Sequence, residues 1–431
     1  MVDVLDIVPF GGPIDAIVVP PGSKSITNRA LLAAALARGT SRIDGVLFAD
    51  DTEAMLDCIR SLGANVDISR DSLSVSVTGI AGDLSGSAAE FFARQSGTTA
   101  RFLAAVLALG TQPLRLDADK AMRLRPMNDV FGALQTLGVS VSFEGEDGCL
   151  PAVVEGPVNA VGRLPEISVD ASVSSQFTSG LLLVAPCLPD GLRIVIEGGV
   201  VSRPYLDMTV AVMESFGAQV QRPDGRTFVV APGGYKATSY AIEPDASAAS
   251  YFFAAAAICG GTVRVDGLGS MSLQGDVKFV DVLAEMGAIV EVGPSSISVT
   301  GAPLHGVVAD FSQISDTAQT LAAVAVFADS PTTVTGIGFI RKKETNRITA
   351  VVTELQRIGI AAEEHPDGFS IAPGPSTPAI IQTYDDHRMA MSMALIGLAR
   401  SGISIADPQC VRKTFPTYFE EMEQLRPGGM K

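Results

Sequence analysis

Apolar residues at helical spacing recur along the chain, and each run closes on one signature, apolar-Gly-apolar: SLGANV, TLGVSV, SFGAQV, EMGAIV and RIGIAA. The glycines are Gly63, Gly138, Gly217, Gly287 and Gly359, at steps of 75, 79, 70 and 72 residues. The stretch YFEEMEQLRPGG fits a sixth copy, cut off where the sequence ends. A glycine just past a helix takes the left-handed conformation without a Cβ penalty. The alternating residues after each of the five read as a strand. A second helix type occurs once per repeat: RALLAAALARG, ARFLAAVLALG, FTSGLLLVAPCL, SYFFAAAAICG, AQTLAAVAVFA and RMAMSMALIGLARSG. These are apolar nearly all round, so they belong inside a domain. The period exceeds that of common solenoids, which points to small βα assemblies. In 431 residues, six units divide as three in each of two domains of roughly 200 residues, helices inside and strands outside.

Polar residues gather just before the apolar helices: PGSKSITNR (21–29), RQSGTTAR (94–101), SVSSQF (172–177), PDAS (244–247), QISDTAQ (313–319) and YDDHR (384–388). Each alone reads as helix capping. Together, six N-termini directed at one interdomain cleft offer unpaired N–H groups and partial positive charge, a ready anion site. Lys24, Arg29, Arg101, Arg125, Lys343, Arg347, Arg388 and Lys413 accompany them. Against a net charge of −16, that clustering points to a small, multiply charged, phosphate-type ligand. The same charge argues against nucleic acid or an anionic membrane as partner. No apolar run approaches the roughly 20 residues of a membrane span. The N-terminus has three Asp before residue 16 and no basic region of a secretory signal, so a soluble cytoplasmic protein is expected. The five scattered cysteines lack C-x-x-C spacing, which speaks against a disulfide framework or a zinc site.

Eleven motifs occur in order: PGSKSITNRALLAAALA, SGTTAR, LRPM, SSQF, SRPYLDMT, DASAASYFFAAAA, LQGDVKFVDVLAEMG, SDTAQT, KKETNR, DDHRMAM and KTFP. With them the chain closely resembles the 5-enolpyruvylshikimate-3-phosphate synthase family over essentially its whole length. The resemblance implies an α/β fold, a two-lobed inside-out α/β barrel of six βαβαββ-type repeats, three per domain. It implies one lobe from residues 1–22 plus 243–431, a second from 23–242, and an active site in the interdomain cleft that closes over substrate. The implied reaction moves the enolpyruvyl (carboxyvinyl) group of phosphoenolpyruvate to the 5-hydroxyl of shikimate 3-phosphate. It needs no cofactor and no metal, and the family is usually monomeric.

By resemblance, Lys24 lies between both substrates and protonates the leaving phosphate, Asp316 is the base at the acceptor hydroxyl, and Glu344 is the acid at C3. Phosphoenolpyruvate is held by Arg125, Arg347, Arg388 and Lys413, with Gly97 allowing close backbone approach. Shikimate 3-phosphate is held by Ser25, Arg29, Ser174, Ser175, Gln176, Ser202 and Lys343. Read without the resemblance, the alternative for Asp316 is an N-cap and for Glu344 a salt-bridge partner. Some positions depart from the family pattern. Gln95 and Phe102 stand where an Asn and a Pro are usual, beside the expected phosphoenolpyruvate pocket, which predicts reduced sensitivity to glyphosate-type inhibitors. Phe339 replaces an Asn that touches the acceptor, which leaves a related enolpyruvyl transferase with a different acceptor open.

Overall fold

The computed structural model describes residues 3–158, 164–171, 174–199 and 201–428. Ser172 and Val173 of the SVSSQF segment, and Gly429 of the last repeat, lie outside the described residues. The chain divides into two compact units, Met1–Pro21 with Pro244–Lys431, and Gly22–Glu243. At Gly22 the backbone passes so close to Gly45 that a Cβ would lie 1.9 Å from its carbonyl oxygen, so only glycine fits.

Among the described residues the strands form six small sheets. The segment from Glu90 to Glu155 shows the plan. Strand Glu90–Phe92 leads through helix Gly97–Val106 to strand Leu114–Asp117, then helix Asn128–Thr136 and strands Ser140–Phe143 and Ala152–Glu155. The first two strands are parallel, and the last two add antiparallel, which is a βαβαββ unit. The same order spans Glu166–Val230 and Val308–Ala372.

The other three sheets are completed by strands from far along the chain. Ile14–Val18 runs parallel to Gly261–Asp266, with Ile14 opposite Gly261 and Val18 opposite Val265. Tyr235–Lys236 and Ser239–Ala241 run parallel to Ala37–Asp44. Val4–Asp6 lies antiparallel to Ile403–Ala406, which is itself parallel to Ala379–Ile381.

Helices lie inside and sheets outside, for a simple reason of burial. Helix Ala246–Cys259 is buried at every position from Ala246 to Ala257, as an all-round apolar surface requires. Strands such as Glu166–Asp170 alternate exposed and buried, one face on the helices and one in water. The five signature glycines all have positive φ, from 82° to 111°.

Several apolar helices end sooner than their composition suggests. The first stops at Leu36, and Ala37–Asp44 is already a strand. The fifth stops at Ala325 and the sixth at Gly397. In the first case pairing with Ser74–Ile80 on one side and 235–241 on the other outweighs the helical preference of Ala and Arg.

Candidate active site

In the unit that contains residues 244–431, Arg347 is the centre. It opens helix Arg347–Arg357, whose N-cap Asn346 accepts from the Thr349 amide. The residue is 1% exposed, and its guanidinium meets three carboxylates. Nε donates to Asp386 Oδ2 at 2.8 Å, and Nη2 to Asp386 Oδ1 at 3.3 Å and Glu344 Oε2 at 2.8 Å. Nη1 donates to Asp316 Oδ1 at 3.2 Å. Burial alone would lower the basicity of this group, but Asp386, Glu344 and Asp316 together hold it above its ordinary value. Arg388 donates to Asp316 Oδ2 at 2.8 Å and to the Tyr251 phenol at 3.4 Å. Tyr251 is itself raised to about 12 by burial.

The capping alternative for Asp316 fails here. Asp316 sits in the turn Ser315–Thr317, and neither this turn nor helix Ala318–Ala325 has a side-chain cap. The carboxylate bridges two arginines instead. Asp386 does cap, accepting from the Arg388 amide at 2.9 Å, and it grips Arg347 as well. Sequence reasoning has it only within YDDHR and DDHRMAM, without a role of its own, because an Asp before an apolar helix looks like a cap. Asp276, from LQGD, was also missed. It is fully buried, accepts from the Ser247 hydroxyl, and is pushed up to about 7 by burial first and then by the charge of Asp316. Lys413 is buried at the end of the turn Pro408–Lys413. Lys343 packs over the Phe339 ring, 5.9 Å from its centroid, so the residue that departs from the family pattern sits against an expected acceptor ligand.

In the unit Gly22–Glu243, Lys24 opens the first inner helix and its Nζ lies 3.3 Å from Asp51 Oδ2, a buried carboxylate. Arg29, one helical turn on from Ser25, donates to the Ser25 carbonyl at 2.8 Å, to Thr209 Oγ1 at 2.7 Å and to Ser179 Oγ at 3.2 Å. Burial lowers its pKa to about 10. A second cluster forms around Gly97. A Cβ there would lie 2.9 Å from Arg125 Nη1 and 3.2 Å from Arg101 Nη1. Arg101 also donates to the Gln176 amide oxygen, and Gln176 Nε2 donates to Thr98 Oγ1 at 3.2 Å. Ser174 caps helix Ser175–Val184, Ser175 is buried, and Ser202 is buried with φ +54° ahead of helix Arg203–Ser215.

Phe102 was expected beside the phosphoenolpyruvate pocket. The structure places its ring 5.2 Å from the Arg29 guanidinium, which the Tyr205 ring approaches at 6.0 Å. Phe102 is fully buried within helix Gly97–Val106, five residues after Gly97.

Residues 9–422 match the family EPSP synthase (3-phosphoshikimate 1-carboxyvinyltransferase). The 3-phosphoshikimate 1-carboxyvinyltransferase of Nostoc punctiforme is 44% identical over 425 residues, 98% of this chain and 99% of that protein. That of Erwinia tasmaniensis is 43% identical over 416 residues, 96% of each. The solved EPSP synthase of Acinetobacter baumannii superposes with a TM-score of 0.82 at 25% identity, covering 98% of both chains. The enolpyruvyl transferase NikO from Streptomyces tendae shares the fold at a TM-score of 0.74 and 19% identity, over 98% of this chain and 97% of that one. The family match runs through both units and takes in every residue of the clusters around Arg347, Arg29 and Gly97: the chain belongs to the EPSP synthase family.

Proposed function

We propose that the chain transfers the enolpyruvyl group of phosphoenolpyruvate to the 5-hydroxyl of shikimate 3-phosphate, releasing phosphate, in aromatic amino acid biosynthesis. It works as a cytoplasmic monomer. The observation that carries the mechanism is the single guanidinium of Arg347, which orders both proton-transfer groups. Asp316 sits on Nη1 at 3.2 Å and Glu344 on Nη2 at 2.8 Å. Addition across the C2–C3 double bond needs a base at the incoming hydroxyl and an acid at the neighbouring carbon. Two carboxyl groups fixed to adjacent nitrogens of one planar fork suit that demand.

Asp316 takes the hydroxyl proton as oxygen bonds to C2, and Glu344 delivers a proton to C3. The tetrahedral ketal phosphate then collapses: Lys24 protonates the departing phosphate and Glu344 recovers the C3 proton. Arg347 and Arg388, with Arg125 and Lys413, hold the carboxylate and phosphate of phosphoenolpyruvate, which matches the planar, bidentate donors of arginine. Gly97 lets the backbone approach closely. Ser25, Arg29, Ser174, Ser175, Gln176, Ser202 and Lys343 hold the acceptor.

The test is phosphate release from phosphoenolpyruvate, with and without shikimate 3-phosphate. Release depends on the acceptor in the wild type and falls about a hundredfold in Asp316→Ala, as for loss of a general base. Release without the acceptor, or none with it, overturns the reading.

A further inference from the structure

The segment that carries Asp386 and Arg388 turns through two consecutive left-handed residues, neither of them glycine: Tyr384 at φ +57° and Asp385 at φ +55°. For a bulky residue this is a genuine outlier, and such backbone persists only where its surroundings over-determine it. The restraint comes from Glu354. This carboxylate is fully buried and serves several donors at once. It accepts from the Tyr384 hydroxyl at 2.6 Å and the Gln382 amide at 2.9 Å. It also accepts from Arg357 Nε at 2.8 Å and Nη2 at 3.2 Å. Tyr384 as a residue is 41% exposed, so the bond from its hydroxyl to Glu354 is a principal tie to the fold.

Glu354 lies seven residues after Arg347 in the same helix. Seven residues are close to two full turns, which puts both on one face. The helix therefore grips the 382–386 segment twice, through Glu354 on Gln382 and Tyr384, and through Arg347 on Asp386. Between the Gln382 and Asp386 contacts lie Thr383 and the left-handed pair.

We propose that Glu354 is a positioning residue for phosphoenolpyruvate: by locking the Tyr384–Asp385 turn it sets Asp386 against Arg347 and fixes the backbone from which Arg388 projects. It acts through these residues and does not touch substrate. The inference rests on the reading of Arg347 and Arg388 as phosphoenolpyruvate ligands. Glutamine cannot replace the carboxylate, because its amide would turn an N–H2 group toward donors.

Steady-state kinetics of folded variants test this. Glu354→Gln should raise the KM for phosphoenolpyruvate about tenfold, the scale on which small misplacements act, with kcat changed much less. Tyr384→Phe, which removes one hydroxyl from a half-exposed ring, should move KM the same way by less. Adding Asp385→Gly to Glu354→Gln should restore most of the loss, since glycine adopts positive φ without a lock. A purely structural role predicts a lower melting temperature with KM unchanged in the folded enzyme, and that result, in Glu354→Gln or in Tyr384→Phe, overturns the proposal. Arg388→Lys run in parallel separates the two layers. If it leaves the KM for phosphoenolpyruvate unchanged, the site reading fails. If it raises KM while the Glu354 and Tyr384 variants do not, only the positioning role fails.

Discussion

Two aromatic or glycine positions decide how the arginines of the 22–243 unit are held. At Gly97 a methyl group would sit within 2.9 Å of Arg125 Nη1. The obstructed atoms are tips of flexible side chains, so Gly97→Ala should fold normally and push the guanidiniums aside. We expect its KM for phosphoenolpyruvate to rise about tenfold with the melting temperature unaltered, measured on the same preparation. Phe102 acts on a different arginine. A buried cation over an aromatic face is worth up to about 2 kcal/mol, and Arg29 lies 5.2 Å from this ring. Phe102→Leu should therefore raise the KM for shikimate 3-phosphate about fivefold or more, and that for phosphoenolpyruvate little. Equal effects on both substrates would place Phe102 back beside Gly97. Gln95, two residues before Gly97, still predicts weak inhibition by glyphosate, and a submicromolar constant competitive with phosphoenolpyruvate would contradict this.

At the scale of elements, the starts of the inner helices are where capping and chemistry diverge. Ser23, Ser96, Ser174, Asp245 and Asp386 each accept a backbone N–H of their own helix, whereas Asp316 accepts from arginines. Asp245→Ala should cost about 1 kcal/mol in denaturant titration, the ordinary value of a cap, while Asp316→Ala should lose activity with little change in midpoint. This divergence also marks the limit of the sequence. The glycine signature, the all-round apolar helices and the polar segments before them were legible, because period and capping are local properties. The partners of Asp316 and Asp386 were not, since Asp316, Arg347 and Asp386 lie 31 and 39 residues apart and an acidic residue before a helix reads as a cap. The completion of one sheet by Ile14–Val18, nearly 250 residues from its neighbour strand, leaves no local trace either. The expected place of Phe102 came from the resemblance alone, and its contact with Arg29, 73 residues away in sequence, leaves no local trace.

Across the whole molecule, each unit has its own apolar core, one drawn from residues 26–242 and the other from 10–425, so heat should unfold the chain in two resolvable steps rather than one. Asp276 provides a label for the second core. Burial and the nearby charges of Asp316 and Asp245 raise it from 3.8 to about 7, against the opposing pull of the Ser247 hydroxyl and Arg388. Between these values the folded unit keeps a proton that the unfolded chain has released. The contribution of this group to stability is therefore fully present below about pH 4, is lost as pH rises to about 7, and then levels off. Asparagine keeps the size and the acceptor for Ser247 but carries no charge. Calorimetry of Asp276→Asn near pH 8 should show the transition of the 244–431 core moved upward and that of the 22–243 core unmoved. Near pH 4 the wild type is itself protonated there, and the two proteins should melt together. A difference between them that stays constant with pH would mean that Asp276 is ionised throughout, held by Arg388 more strongly than burial opposes it.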